Sequence, residues 1–87
     1  MTLYVSNGDM AEVMGVDVPS FSKFLRVAGR PQAPTESIRS RRSAWQERGY
    51  PVDAAVAFLY RHSRHFGALQ ETKLRELARP TARAVAS

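Results

Sequence analysis

The residues of this chain best suited to chemistry are cations and hydroxyls, and they fall in two clusters. Ser20, Ser22, Lys23, Arg26 and Arg30 lie within VPSFSKFLRVAGR, with no acid among them. Arg39, Arg41 and Arg42 lie within SIRSRRS. Arg and Lys can bond guanine edges and phosphate, and Ser can bond base edges or phosphate. Three arginines so closely spaced resist burial, so they are expected to face solvent or phosphate. Each cluster also has a plainer reading, as a solvated helix face and as a basic loop.

Other chemistries find less support. His62 and His65 are spaced i, i+3, but the chain has no cysteine, and the nearest acids are Asp53 and Glu71. A structural zinc site needs four ligands. With Arg61 and Arg64, the histidines read as the basic end of a helix, where cations suit the negative dipole end. No nucleophile–base pair, carboxylate pair or phosphate-binding glycine loop can be picked out. The expectation is a protein that is not an enzyme and uses neither cofactor nor metal.

The first cluster needs a helix to present it. In DMAEVMGVDVPSFSKFLRVAGR, Met10, Val13 and Met14 recur at helical spacing, as do Phe21, Phe24, Leu25 and Ala28. Asp17 suits an N-cap, Pro19 the first turn, and Gly29 the left-handed position after the last turn. Ser6, Asn7 or Asp9 could cap the first helix. Helix, short turn, helix over about 9–29 is the shape of a helix-turn-helix. An α-helix fits the major groove, which makes the second helix the candidate reader of DNA.

The second cluster follows two prolines, in RPQAPTE. Short strands are expected at about 34–38 and 43–46, fastened by Ile38 and Trp45, with a turn at Glu47–Tyr50. A basic hairpin placed after a helix-turn-helix is the wing of a winged helix. Pro51 then opens a third helix, with Val52, Ala55, Val56 and Leu59 on one stripe. Trp45 is expected to pack where this helix meets the wing. A fourth helix is expected from Ala68 to Ala78, carrying Leu69, Leu74 and Leu77. Glu71–Arg75 and, more weakly, Thr72–Glu76 would be its i, i+4 pairs. The fold class is therefore mainly α with a small β-hairpin, a winged helix-turn-helix over 1–67. Residues 68–87 form a C-terminal helix and a flexible basic tail. That segment either caps the core or joins a neighbouring copy on DNA.

Charge supports a polyanion partner. The chain has 87 residues and a net charge of +5. Its first 22 residues hold three acids and no base, and the remainder holds all thirteen cations against five acids. No apolar run approaches the ~20 residues needed to span a bilayer. The N-terminal MTLYVSNGD lacks the basic and apolar regions of a signal peptide. A cytoplasmic, nucleoid-associated protein with no membrane partner is expected.

The residues AEVMGVDVPSFSKFLRVAGRP resemble the opening of phage and plasmid excisionases and AlpA-type regulators, small members of the MerR-like winged-helix superfamily. RRSAWQERGYPVDAAVAFL is similar to their wing strand, its tryptophan and the following helix. The resemblance covers roughly residues 9–62. The long segment after Trp45 and the extension from Ala68 depart from the family's minimal core. The resemblance implies a recombination directionality factor that binds repeated sites on double-stranded DNA beside an attachment site. It implies self-association on DNA and a site-specific integrase as partner. Two other readings stay open: a stand-alone transcription regulator or DNA-packaging subunit of the same fold, and a basic helical adaptor for a protein partner.

Overall fold

The computed structural model describes residues 1–83 of the chain. The elements run β1 (Tyr4–Val5), α1 (Asn7–Met14), α2 (Val18–Ala28), β2 (Glu36–Arg39), β3 (Gln46–Pro51), α3 (Val52–His62) and α4 (Ala68–Leu77). Four helices thus pack with one antiparallel three-stranded sheet of order β1-β3-β2, a mainly α arrangement. Met10, Leu25, Leu59 and Leu74, one from each helix, meet Val5 and Tyr50 of the sheet in a single core.

Local chemistry explains the helix ends. Of the three candidate caps on α1, Ser6 takes the position. Its hydroxyl accepts from the Asp9 N–H at 3.2 Å, and its own N–H donates to Asp9 Oδ2 at 2.8 Å. That reciprocal pair satisfies two donors that the first turn leaves free. Gly15 ends α1 at φ 72°, a conformation that suits glycine. Asp17 caps α2 by accepting from the Ser20 N–H at 3.1 Å, and Gly29 ends it at φ 98°.

The sheet differs from expectation. The second hairpin strand begins at Gln46, and Glu47–Tyr50, expected to turn, is its centre. The reason is tertiary. β3 pairs on both edges, Val5 opposite Tyr50 on one side and Ile38 opposite Glu47 on the other. Gly49 is buried between them. A Cβ there would sit 2.8 Å from Ile38 Cγ2 and 3.0 Å from Tyr4 Cβ, so only glycine lets the strands close.

Trp45 corrects a second expectation. It lies in the hairpin loop just before β3 and is 78% exposed, so it does not fasten α3 to the hairpin. Ile38 does pack inward, fully buried. The stripe of α3 packs as its spacing implies: Val52, Ala55, Val56 and Leu59 are all buried. Phe58 meets Phe24 of α2 edge-on at 6.1 Å between ring centroids.

The segment after Gly67 joins the core. Leu74 is fully buried and Ala82 nearly so, while Leu69 is 63% exposed and lies outside the core. Arg75 bonds Glu71 at 2.9 Å, as the spacing implies, and also Asp53 of α3 at 2.8 Å. Thr72 donates to the Ala68 carbonyl rather than pairing with Glu76. Beyond α4, Arg79 exchanges backbone hydrogen bonds with Tyr4 at 2.7 and 2.9 Å, extending the sheet past β1. The remainder of the expected flexible tail, residues 84–87, lies outside the described residues.

The tight contact at Gly49 yields a prediction. Gly49→Ala should lower stability by about 1–3 kcal/mol through overpacking against Ile38 and Tyr4. Urea unfolding followed by circular dichroism measures this, and an unchanged midpoint would show that the strands yield freely.

Candidate nucleic-acid interface

α2 presents the first cluster over one broad arc, with Lys23 and Arg26 between the two serines. At 3.6 residues per turn, Ser20 and Ser22 lie roughly 160° apart around the axis. Lys23 and Arg26 are exposed, and Ser22 is half-buried at their edge. Ser22 Oγ lies at the 3.5 Å limit of a hydrogen bond from Asn7 Nδ2, beside the start of α1. Ser20 is exposed one turn before Lys23 and lines a groove of about 380 Å³ with Val16, Phe24, His62 and His65.

Arg30 follows the helix in the left-handed region at φ 59°, uncommon for a residue with a side chain. Gln32 holds this turn by donating to the Gly29 carbonyl at 2.7 Å and the Arg30 carbonyl at 3.2 Å. Arg30 shares a depression of about 400 Å³ with Arg61 and His62 of α3. It therefore stands with the basic end of α3.

The hairpin arginines divide as well. The Arg39 side chain is exposed. Arg41 instead bonds Glu12 of α1 at 3.0 Å and reaches Asp9 at 3.4 Å. Arg42 bonds Glu12 at 2.8 Å and donates to the Gly8 carbonyl at 2.8 Å. A side chain at position 8 would collide with the Arg42 guanidinium, so glycine opens the seat that Arg42 occupies. Arg41 and Arg42 remain partly exposed, but in the free chain their charge is answered by α1 rather than left to solvent. Their effect is to clamp the hairpin loop to α1.

Two residues of this surface were not among the candidates. Arg48 is exposed on β3 and lines a depression of about 230 Å³ with Gly8, Val18 and Arg42. Alternation along β3 would have flagged it had that strand been recognised. Trp45 stands in the loop between Arg42 and β3. Among the described residues, Lys23, Arg26, Arg30, Arg39, Arg48, Arg61, Arg64, Lys73 and Arg83 form no salt bridge, whereas Arg41, Arg42, Arg75 and Arg79 do. No group of three or more His, Asp or Glu side chains among the described residues could hold a metal ion. None of their helices is long and apolar enough to cross a membrane. The arrangement suits electrostatic and hydrogen-bonding recognition of an anionic polymer. No known family, curated protein or solved structure matches the chain.

The clamp is pH-dependent. The hydrogen bond from Arg41, followed by its charge, holds the Glu12 carboxyl below the ordinary glutamate range. A lowered carboxylate contributes above its unfolded value and loses that contribution as pH falls through the folded one. The clamp should therefore be complete at neutral pH and open only in acid. Carbon-detected NMR titration should place Glu12 below the ordinary range, and Arg41→Gln with Arg42→Gln should return it there. A normal Glu12 midpoint in the wild-type chain would contradict the clamp.

Proposed function

We propose that this chain binds double-stranded DNA as a winged helix-turn-helix, with α2 in the major groove and the β2–β3 hairpin as its wing. The observation that carries this reading is the pair Lys23 and Arg26. Both are exposed and free of ion pairs, on the second helix of a helix-turn-helix whose first turn adjoins a basic hairpin. Unpaired cations are those able to release counterions from the phosphate backbone on binding. Arg39 and Arg48 extend the same set, and Ser22 lies at its edge. Arg41 and Arg42 take part by holding the wing, and direct phosphate contact by either requires exchange of Glu12 for phosphate.

The role proposed is architectural, and no catalytic residue is assigned. The resemblance to excisionases supports a recombination directionality factor acting beside a site-specific integrase, in the cytoplasm and on the nucleoid. Adjacent copies would assemble on repeated sites, since one module of this size buries only about 600–1,000 Å². Association along one DNA raises effective concentration and so avidity. A transcription regulator of the same fold would use the same surface and differ only in where its sites lie.

Footprinting on DNA flanking the native gene locates the site, and variants then test the reader. Arg26→Ala should cost about 1–3 kcal/mol on that site if it bonds a base edge. Circular dichroism should not change, because the side chain is exposed. Lys73→Ala, on α4, serves as a control that leaves binding intact. Arg26→Ala binding as tightly as wild type would remove α2 as the reading helix.

A further inference from the structure

Trp45 is the chain's single tryptophan, and 78% of its surface is exposed. Tryptophan carries a large apolar surface, and leaving it in water forgoes burial worth some kcal/mol. Its backbone is nonetheless fixed. The Trp45 carbonyl accepts from the Ser40 N–H at 2.9 Å, closing the loop at the end of the hairpin. The Trp45 N–H donates to Ser43 Oγ at 3.3 Å. The loop is pinned again from below, where Arg41 and Arg42 bond Glu12. An exposed aromatic ring on a loop closed by its own hydrogen bonds and clamped by two ion pairs is a preorganised contact rather than a loose end.

We propose that Trp45 is a stacking wedge, entering the minor groove of duplex DNA and inserting its indole against a base step as the wing lands. The inference rests on the DNA-binding reading above. Charge argues for this occupant. Arg39 and Arg48 are exposed on the strands that flank the loop and form no salt bridge, so the hairpin that carries Trp45 also carries cations suited to phosphate. Apolar side chains driven between base steps unstack and kink the duplex. Aromatic side chains gain by stacking on bases with little regard to sequence. The clamp on Glu12 then has a mechanical purpose, since a wedge must be held while it separates two base pairs. This role also explains why Arg41 and Arg42 are tied to α1 when phosphate contact alone would leave them free.

Because Trp45 is unique, its fluorescence reports on this contact alone. Wild-type protein is titrated with fluorescein-labelled duplex from the DNA flanking the native gene. Anisotropy of the label reads binding, and indole emission with acrylamide quenching reads the environment of Trp45. The expected result is emission quenched by the bases and loss of acrylamide access on binding. Trp45→Ala should bind about 5- to 150-fold more weakly, the equivalent of one stacked base, and Trp45→Phe should recover much of that loss. Both variants should keep the wild-type circular dichroism, since the side chain is exposed. Binding with unchanged emission and wild-type affinity in Trp45→Ala would overturn the wedge while leaving DNA recognition by α2 standing. That result would point to a protein partner for the ring. Absence of binding to any duplex would overturn both readings.

Discussion

The architecture hangs on one buried ion pair. Asp9 is fully buried, and Arg79 bonds its Oδ2 at 2.6 Å. A carboxylate out of water is tolerable only when charge and hydrogen bonds surround it. Asp9 has these from three directions: the Ser6 N–H in the capping box, Arg79 from beyond α4, and Arg41 from the hairpin loop. It also sits in the first turn of α1, where the helix dipole favours negative charge. Arg79 in turn donates to the Arg39 carbonyl at 2.6 Å and stands 3.7 Å from Glu47. One carboxylate and one guanidinium thus join the start of α1, both hairpin strands and the C-terminal segment. Removing the Arg79 guanidinium would take from the buried Asp9 carboxylate its shortest charged contact, a loss of up to about 3–5 kcal/mol.

This joint bears on the proposed binding of DNA. Reading DNA with a helix and a wing requires the two to hold a fixed relation, because a misplaced wing loses the groove it must enter. Here α1 carries both parts. Its first turn abuts α2 through Asn7 and Ser22, and its Glu12 and Asp9 hold the hairpin through Arg41 and Arg42. A buried acid, Asp9, and an exposed one, Glu12, therefore organise a surface whose outward charge is positive. The acidic first 22 residues and the basic remainder are complementary parts of one fold, and the cations left unpaired are those available to phosphate.

Much of the helical half was legible in the residues. Asp17, Pro19 and Gly29 are local signals, and they mark the ends of α2 because capping depends on neighbours within a turn. Val52 to Leu59 announced α3 by periodicity. What depended on distant contacts was not legible. Glu47-Arg48-Gly49-Tyr50 has the composition of a turn, and becomes a central strand only because β1 and β2 pair on either side. Trp45 suggested burial by its size, but the loop that displays it is closed by Ser40 and Ser43. Arg41 and Arg42 were visible as a cluster, yet their partner Glu12 lies some thirty positions earlier in the chain. Arg79, between a helix end and a proline, carried no signal of its place at the joint. The exposed set on α2 was visible, and only the position of Arg30 beside Arg61 and His62 depended on distant contacts.

On the proposed reading, the unpaired cations of α2 and the hairpin engage the phosphates of duplex DNA. The most direct measurement is the wild-type affinity for duplex DNA across a range of monovalent salt. Each phosphate neutralised contributes about 0.9 to the slope of log affinity against log salt. Engagement of Lys23, Arg26, Arg39 and Arg48 predicts a straight line with a slope of roughly −3 to −4. A slope near zero, or no binding at low salt, would contradict the account.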